Sequence, residues 1–337
     1  MACTQEGQSP LVKQYDAPIG LEKISSWVIS SPHLVPNPVF SGVLHDGSLI
    51  LIDRSLLTIN HFDRYGNIIN TFGGEGRGPG EFIRVSYAAI NPDGRIAVAD
   101  NGNARLIIQN VFDESIVTED FQPGWNPGLS WIEDGLVITN HPFAIMETHS
   151  GDILMHFYDP DTRVKEQFLH LELARDQPPD QISCTFCEFR FQDDLSFFTT
   201  PQDTSYRLFK KNPHTKETTL FTRSGVAAIE HSERELEELR ERARREIGAM
   251  DYVPPTHKRR INDFFPDPHG RVWVLMNAPD GEPMHFDIFS QGADYIGSLD
   301  MPEGAETIEF VAGDQILFRY QSDDLDVWEG GLYRIVD

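Results

Sequence analysis

A short unit, made of a tight turn followed at once by an alternating apolar run, recurs along this chain of 337 residues. The clearest copies span residues 45–53 (HDGSLILID) and 92–100 (PDGRIAVAD). Weaker copies with the same order of features span residues 133–138, 192–197, 268–274 and 312–318. Turns with Gly or Asp that lead into alternating strands are typical of antiparallel hairpins. Long amphipathic helical periodicity is nearly absent, so the pattern predicts an all-β fold.

The spacing of the copies predicts the architecture. Their turns lie at positions 47, 94, 135, 194, 270 and 313, and the short steps match one four-stranded blade per about 40 to 50 residues. Six copies therefore predict a six-bladed β-propeller over residues 21–337, preceded by a tether at residues 1–20. The alternating segment 21–29 is left over, and we expect it to close the ring as the outer strand of the last blade, beside residues 331–336.

The longest step, between positions 194 and 270, contains a predicted helix. Residues 232–235 (SERE) have the form of a capping box, and Gly248 is suited to end a helix. Apolar residues between them recur at helical spacing, at Leu236, Leu239, Ala243 and Ile247. We expect a helix over residues 229–248, inside an insertion of about 227–250. It either docks on the propeller by one apolar stripe or acts as a partner-binding or lid helix over the channel.

One stretch resembles a known family. Residues 72–82 read FGGEGRGPGEF and are followed by Asp100, Asn103 and Arg105, which resembles the NHL-repeat signature. The resemblance is specific over residues 72–106, recognisable over 40–71, and absent from the third and fourth blades. The chain as a whole is similar to six-bladed propellers of bacterial envelopes, most of which have no assigned activity.

The N-terminus and the charge balance limit location and partners. Ala2-Cys3 with a short polar tether resembles the end of a bacterial lipoprotein signal, which implies lipidation of Cys3 and a periplasmic or outer-membrane-anchored protein. The alternative is an ordinary cytosolic start with a chance Cys.

A net charge of −25 would repel nucleic-acid phosphates, so we exclude nucleic-acid partners and expect membrane contact only through a lipid. We expect a monomer.

The glycine-rich and cysteine motifs are weak indicators of chemistry. The run from Gly73 to Gly80 lacks the GK[ST] ending and the following helix of a phosphate-binding loop, although Arg77 and Glu81 within it are candidates for ligand contact at the channel mouth. Cys184 and Cys187 form a CxxC, for which reduced core cysteines, a local disulfide, and a metal or redox site all remain open.

The predicted fold resembles that of propeller lyases and lactonases. Those enzymes hold a channel metal through His, Asp, Asn or Glu from several blades. No local motif here matches those ligands, so we expect no cofactor. A Ca²⁺ ion in the channel belongs to the alternative reading, a metal-dependent hydrolase or lyase of the lactonase or amidoglycolate-lyase type.

The residues before each repeated turn are the candidates for ligand binding, because innermost strands and their preceding loops converge on a propeller's channel. They are Arg84, Ser86, Trp125, Asn126, Glu188, Arg190, Arg259, Arg260, Asn262 and Glu309. An Arg-lined funnel would suit a small acidic or carbohydrate ligand through bidentate contacts, with Trp125 stacking on a sugar ring. Alternatively, the arginines join blades through Glu partners such as Glu188 and Glu309. The sequence thus predicts a non-catalytic ligand-binding or protein-binding propeller.

Overall fold

The computed structural model of the protein describes residues 19–30, 36–121, 128–133, 135–140, 151–173, 189–200, 204–247, 252–320, 322 and 327–337. These residues form 24 β-strands, arranged in six four-stranded antiparallel sheets, and one α-helix. Each sheet is a blade, and its strands follow one another from the inside of the ring to the outside. The predicted six-bladed β-propeller is confirmed.

The first three blades follow one another along the chain. Blade 1 consists of β2 (Pro38–Val43), β3 (Leu49–Asp53), β4 (Thr58–Phe62) and β5 (Ile68–Gly73). Blade 2 consists of β6 (Val85–Ile90), β7 (Arg95–Asp100), β8 (Arg105–Asn110) and β9 (Ile116–Asp120). Blade 3 consists of β10 (Gly128–Ile132), β11 (Gly135–Asn140), β12 (Gly151–Asp159) and β13 (Val164–Leu173).

The helix separates blades 4 and 5, and the ring closes in blade 6. Blade 4 consists of β14 (Phe189–Phe191), β15 (Phe197–Thr199), β16 (Leu208–Lys211) and β17 (Thr218–Phe221), and α1 (Glu233–Ile247) follows it. Blade 5 consists of β18 (Ile261–Pro266), β19 (Val272–Met276), β20 (His285–Phe289) and β21 (Tyr295–Asp300). Blade 6 consists of β22 (Ala305–Ala312), β23 (Gln315–Tyr320), β24 (Trp328–Val336) and the N-terminal β1 (Gly20–Ile29).

Each repeated turn is the hairpin that joins the innermost strand of a blade to its second strand. In the first of these inner hairpins, the Asp46 carboxylate accepts the backbone N–H of Ser48 at 2.9 Å, and Gly47 has a φ of 81°. A φ in this region suits Gly because it has no Cβ. Leu195 takes the same turn position in blade 4 with a φ of 61°, so the turn is retained there without its glycine.

The core is a ring of six hydrophobic clusters, each lying between two neighbouring blades. One cluster joins Ile50 and Ile59 of blade 1 to Ile96 and Val98 of blade 2. The corresponding clusters join blades 2 and 3, 3 and 4, 4 and 5, and 5 and 6. The last cluster places Trp27 and Ile29 of blade 6 against blade 1. Because every blade packs against two others, the six innermost strands are held around one axis.

Helix α1 begins with the predicted capping box. The backbone N–H of Glu235 donates to the Ser232 hydroxyl at 3.2 Å, and the Glu235 carboxylate accepts the backbone N–H of Ser232 at 2.9 Å. The first turn is attached to blade 5, where Asp280 accepts a hydrogen bond from the Ser232 hydroxyl at 2.7 Å and Lys258 pairs with Glu235. The helix therefore docks beside the start of β18 rather than standing free.

Candidate functional site

Two adjoining cavities lie at the centre of the ring. The larger one, of about 560 Å³, is lined by the innermost strands of all six blades. It includes Pro92 and Gly313 next to inner hairpins, so we call it the hairpin-end chamber. The smaller one, of about 420 Å³, includes Gly128 and Phe189 at the starts of innermost strands, and we call it the mouth chamber. The two share lining residues, so they form one channel.

The mouth chamber is polar. Arg190, on β14, donates from Nη2 to both carboxylate oxygens of Asp263, on β18, at 3.0 and 3.1 Å. The Arg190 side chain is 43% exposed and that of Asp263 is 14% exposed, so the carboxylate orients a guanidinium that solvent can reach. Arg259 and Asn262 line the same chamber, and the Asn262 amide donates to the Asn277 side-chain oxygen at 2.9 Å.

The hairpin-end chamber has aromatic walls and includes the carboxylate of Glu309. Half-buried aromatic rings from five blades line it, namely Phe40, Tyr87, Trp131, Phe191 and Phe310, and the buried Phe265 completes the wall. The Glu309 carboxylate accepts a hydrogen bond from the Ser41 hydroxyl at 2.8 Å and another from the Thr307 hydroxyl at 3.3 Å. Within the part of the chain that the structure describes, no Lys or Arg pairs with Glu309.

The structure brings only one of the arginines Arg84, Arg190 and Arg260 to the channel lining. Arg190 lines both chambers, whereas Arg84 lines neither and is exposed in the loop before β6. Arg260 also lines neither chamber, and it donates to the backbone carbonyl of Val226. Of the two glutamates expected to pair with arginines, Glu188 lies outside the described residues and Glu309 pairs with no arginine of the described residues, while Arg190 pairs with Asp263. Arg190 lies on the innermost strand β14, whereas Arg84 and Arg260 immediately precede β6 and β18.

The residues that carried the NHL resemblance hold a loop together. Asp100 is fully buried, and its carboxylate accepts the backbone N–H of Arg84 at 2.9 Å and the side-chain amide of Asn103 at 2.6 Å. Arg105 donates to the backbone carbonyls of Arg77 and Gly78, both at 3.1 Å. These contacts give the motif a structural role at the junction of blades 1 and 2.

The two candidates inside that loop differ in exposure. The Arg77 side chain is exposed and lines neither chamber. The Glu81 carboxylate accepts the backbone N–H of Gly78 at 2.7 Å, so it closes the loop on itself. The side chain of Ser86, on β6, has a buried hydroxyl with no hydrogen-bond partner and lines neither chamber.

Several sequence candidates lie outside the described residues. They are Cys3, Trp125, Asn126, Cys184, Cys187 and Glu188. Their predicted roles in lipid attachment, stacking, thiol chemistry and ion pairing stay predictions.

Sequence reasoning did not identify the aromatic walls or Asp263. The signal was present in part, because Phe40 and Tyr87 both lie seven residues before the glycine of their inner hairpin. Their rings are 5.3 Å apart between centroids in the folded protein. Comparing the residues before each hairpin for ring-bearing side chains, and not for charges alone, would have found them.

A further polar cluster lies beside the first inner hairpin, outside the channel. The Ser48 hydroxyl donates to Asp46 at 2.6 Å and lies 2.8 Å from Nε2 of His61, which is 3% exposed. In a catalytic triad the histidine lies between the carboxylate and the serine. Here the serine lies between the carboxylate and the imidazole, so the arrangement is not that of an activated nucleophile. Burial lowers the pKa of His61, an effect that the Asp46 charge partly opposes.

The described residues contain no group of three or more His, Cys, Asp or Glu side chains placed to hold a metal ion. None of their helices is long and apolar enough to cross a lipid bilayer.

Comparison with solved structures shows the fold. A protein of Bacteroides fragilis NCTC 9343 that is described as exported superposes with a TM-score of 0.54, at 12% identity over 96% of this chain and 98% of the other. A DUF4221 family member from Bacteroides vulgatus ATCC 8482 superposes with a TM-score of 0.56, at 11% identity over 95% and 99% of the two chains. No protein-family model and no curated protein matches the chain. The propeller is therefore shown, and the NHL assignment stays a prediction.

Proposed function

We propose that this protein is a non-catalytic binding propeller of the bacterial cell envelope that holds a small acidic ligand in its central channel. The observation that carries the proposal is the position of Arg190, whose guanidinium is 43% exposed where the mouth chamber meets the hairpin-end chamber. A planar guanidinium is suited to bidentate recognition of a carboxylate or sulfate.

The neighbours of Arg190 support this role. Asp263 fixes the direction of the guanidinium, since one Nη2 atom contacts both of its oxygens. Arg259 brings a second positive charge to the mouth chamber, and Asn262, whose amide nitrogen already donates to Asn277 and Met284, brings a side-chain oxygen that can accept a hydrogen bond from a ligand hydroxyl. These groups come from two neighbouring blades, so the folded ring assembles them before a ligand arrives.

The envelope location is proposed from the N-terminal Ala2-Cys3, with Cys3 as the lipid-bearing residue. A solved structure of the same fold belongs to a protein described as exported, which agrees with this location. Labelling of the full-length precursor with a radioactive or alkyne-tagged fatty acid tests this part. Incorporation that a Cys3→Ala substitution removes is the expected result, and unlabelled protein in the cytoplasm would contradict it.

Thermal unfolding of the intact protein tests the ligand proposal, with D-glucuronate and succinate as probes at millimolar concentration. A ligand present at tenfold its Kd stabilises the native state by about 1.4 kcal/mol and so raises the Tm. We expect Arg190→Ala to abolish the shift. Arg84→Ala is the matched control, because Arg84 is exposed and lines neither chamber, and it should leave the shift unchanged. Absence of any shift, or an equal shift in Arg190→Ala, would overturn the proposal.

A further inference from the structure

We propose that the hairpin-end chamber binds an organic ammonium group, with the Glu309 carboxylate as its counter-ion. Combined with the anion site at Arg190, which rests on the proposed function, this makes the ligand of the channel a zwitterion with an apolar body. Free amino acids with large side chains and short peptides belong to this chemical class.

The first argument is the state of Glu309. Its two oxygens accept hydrogen bonds from Ser41 and Thr307, which are neutral donors on β2 and β22. These bonds fix the carboxylate but leave its negative charge uncompensated by any Lys or Arg of the described residues. A half-buried carboxylate without a neighbouring cation favours a cationic ligand, because opposite charges attract more strongly where part of the water is excluded.

The second argument is the wall around that carboxylate. Phe40 and Phe310 line the same chamber and are only half-buried. Half-buried Trp131 also lines it, and its ring already has the Arg95 guanidinium 5.1 Å from its centroid. Phe40 and Phe310 also pack against the core between blades 1 and 2, so their positions are fixed by the fold. Aromatic rings attract a desolvated ammonium through their negative faces, and cages of such rings recognise organic ammonium ions. A carboxylate beside aromatic rings is thus complementary to an alkylammonium rather than to an anion.

The third argument is the distribution of charge along the channel. Among the described residues that line the two chambers, Arg190 and Arg259 are basic and Asp263 and Glu309 are acidic. Both arginines line the mouth chamber, whereas Glu309 lines only the hairpin-end chamber, so the two ends of the described lining differ in charge. A simple acid would meet an attractive mouth and a repulsive hairpin end. A ligand with a carboxylate toward Arg190 and an ammonium toward Glu309 would match both.

Calorimetric titration of the intact protein with phenethylamine tests the ammonium site, with 2-phenylethanol as the uncharged probe of similar shape. We expect the amine to bind at least tenfold more tightly than the alcohol. Glu309→Gln keeps an oxygen that can accept from Ser41, and it should remove this preference. Glu306→Gln is the matched control, because Glu306 is exposed on the same strand and lines neither chamber, and it should preserve the preference. Equal affinities for the two probes, or a preference that survives in Glu309→Gln, would overturn the inference.

Two further probes separate this inference from the proposed function. L-phenylalanine should bind at least tenfold more tightly than 3-phenylpropionate, and Glu309→Gln should make the two equal. If the amine binds through Glu309 while no acid depends on Arg190, the ammonium site stands and the acid-binding function fails. If glucuronate binds through Arg190 and phenethylamine does not bind, the function stands and the ammonium site is wrong.

Discussion

Leu21 in the first strand lies directly opposite Ile335 in the last, across the antiparallel pair of β1 and β24. Both residues belong to the cluster between blades 5 and 6, where Ile335 is 4% exposed. The two termini of the chain thus share one blade. Closure in this way pairs the outer edge of β24, which would otherwise be open to other chains.

Removing β1 should expose that edge. We expect deletion of residues 1–30 to cause aggregation, because it unpairs β24 and removes Trp27 and Ile29 from the cluster between blades 6 and 1. Deletion of residues 1–12, which precede β1, should leave the protein monomeric. Size-exclusion chromatography with light scattering distinguishes the two. A monomeric, cooperatively folded protein without residues 1–30 would show that closure by β1 is dispensable.

Helix α1 should be dispensable for folding. Its apolar face is shallow, since Ala243 is buried whereas Leu236 and Leu239 are only half-buried. The ion pair of Arg234 with Asp280 is largely exposed, and exposed pairs contribute about 0 to 1 kcal/mol. Replacing residues 232–248 with a Gly/Ser linker should therefore lower the free energy of unfolding by roughly a few kcal/mol, because the apolar area that the helix buries is lost. The variant should keep a single unfolding transition. Calorimetry measures this, and loss of cooperative unfolding would place the helix in the core.

Asp100 should be essential for stability. It is fully buried, pairs with Arg105 and accepts backbone N–H groups from the loop that joins blades 1 and 2. Asp100→Ala leaves these donors and Arg105 without their acceptor, and we expect a loss of about 3 to 5 kcal/mol in the free energy of unfolding. Glu75→Ala, at an exposed position of the same loop, should cost less than about 0.5 kcal/mol. Urea unfolding of both variants measures the difference, and similar losses would contradict the assigned role of Asp100.

Stability should fall as the pH drops below about 6.5. Burial lowers the pKa of His61, and burial followed by the nearby Lys165 charge lowers that of His156. Because the unfolded chain binds these protons at a higher pH than the folded one, unfolding takes up protons and becomes more favourable from about pH 6.5 downward.

His61→Gln should make this dependence shallower, since Gln can still hydrogen bond to Ser48 but does not titrate. His214→Gln, in an exposed turn, is the control and should leave the slope unchanged. Urea unfolding between pH 8 and pH 5.5 gives the slopes. A wild-type stability that stays flat or rises as the pH is lowered over this range would show that neither His61 nor His156 is linked to folding.

The blades were predictable from the sequence because their information is local. An inner hairpin needs a turn residue that tolerates positive φ and an alternating run beside it, and both lie within about ten residues of each other. This is why the six turns, the outer-strand role of residues 21–29 and the helix in the longest step could all be located. Even blade 4, where Leu195 stands in place of a glycine, keeps enough of the pattern to be counted.

The channel was decided by the tertiary structure. Arg190 and its partner Asp263 are 73 residues apart, and Ser41 and Glu309 are 268 residues apart. Periodicity indicates which residues lie on an innermost strand, but the twist of each blade and the irregular loops before it set where a side chain points. Arg84 and Arg190 therefore looked equivalent in the sequence and differ in the fold. The sequence determines the number of blades through local turns and alternation, and only closure of the ring brings distant charges and rings to one axis.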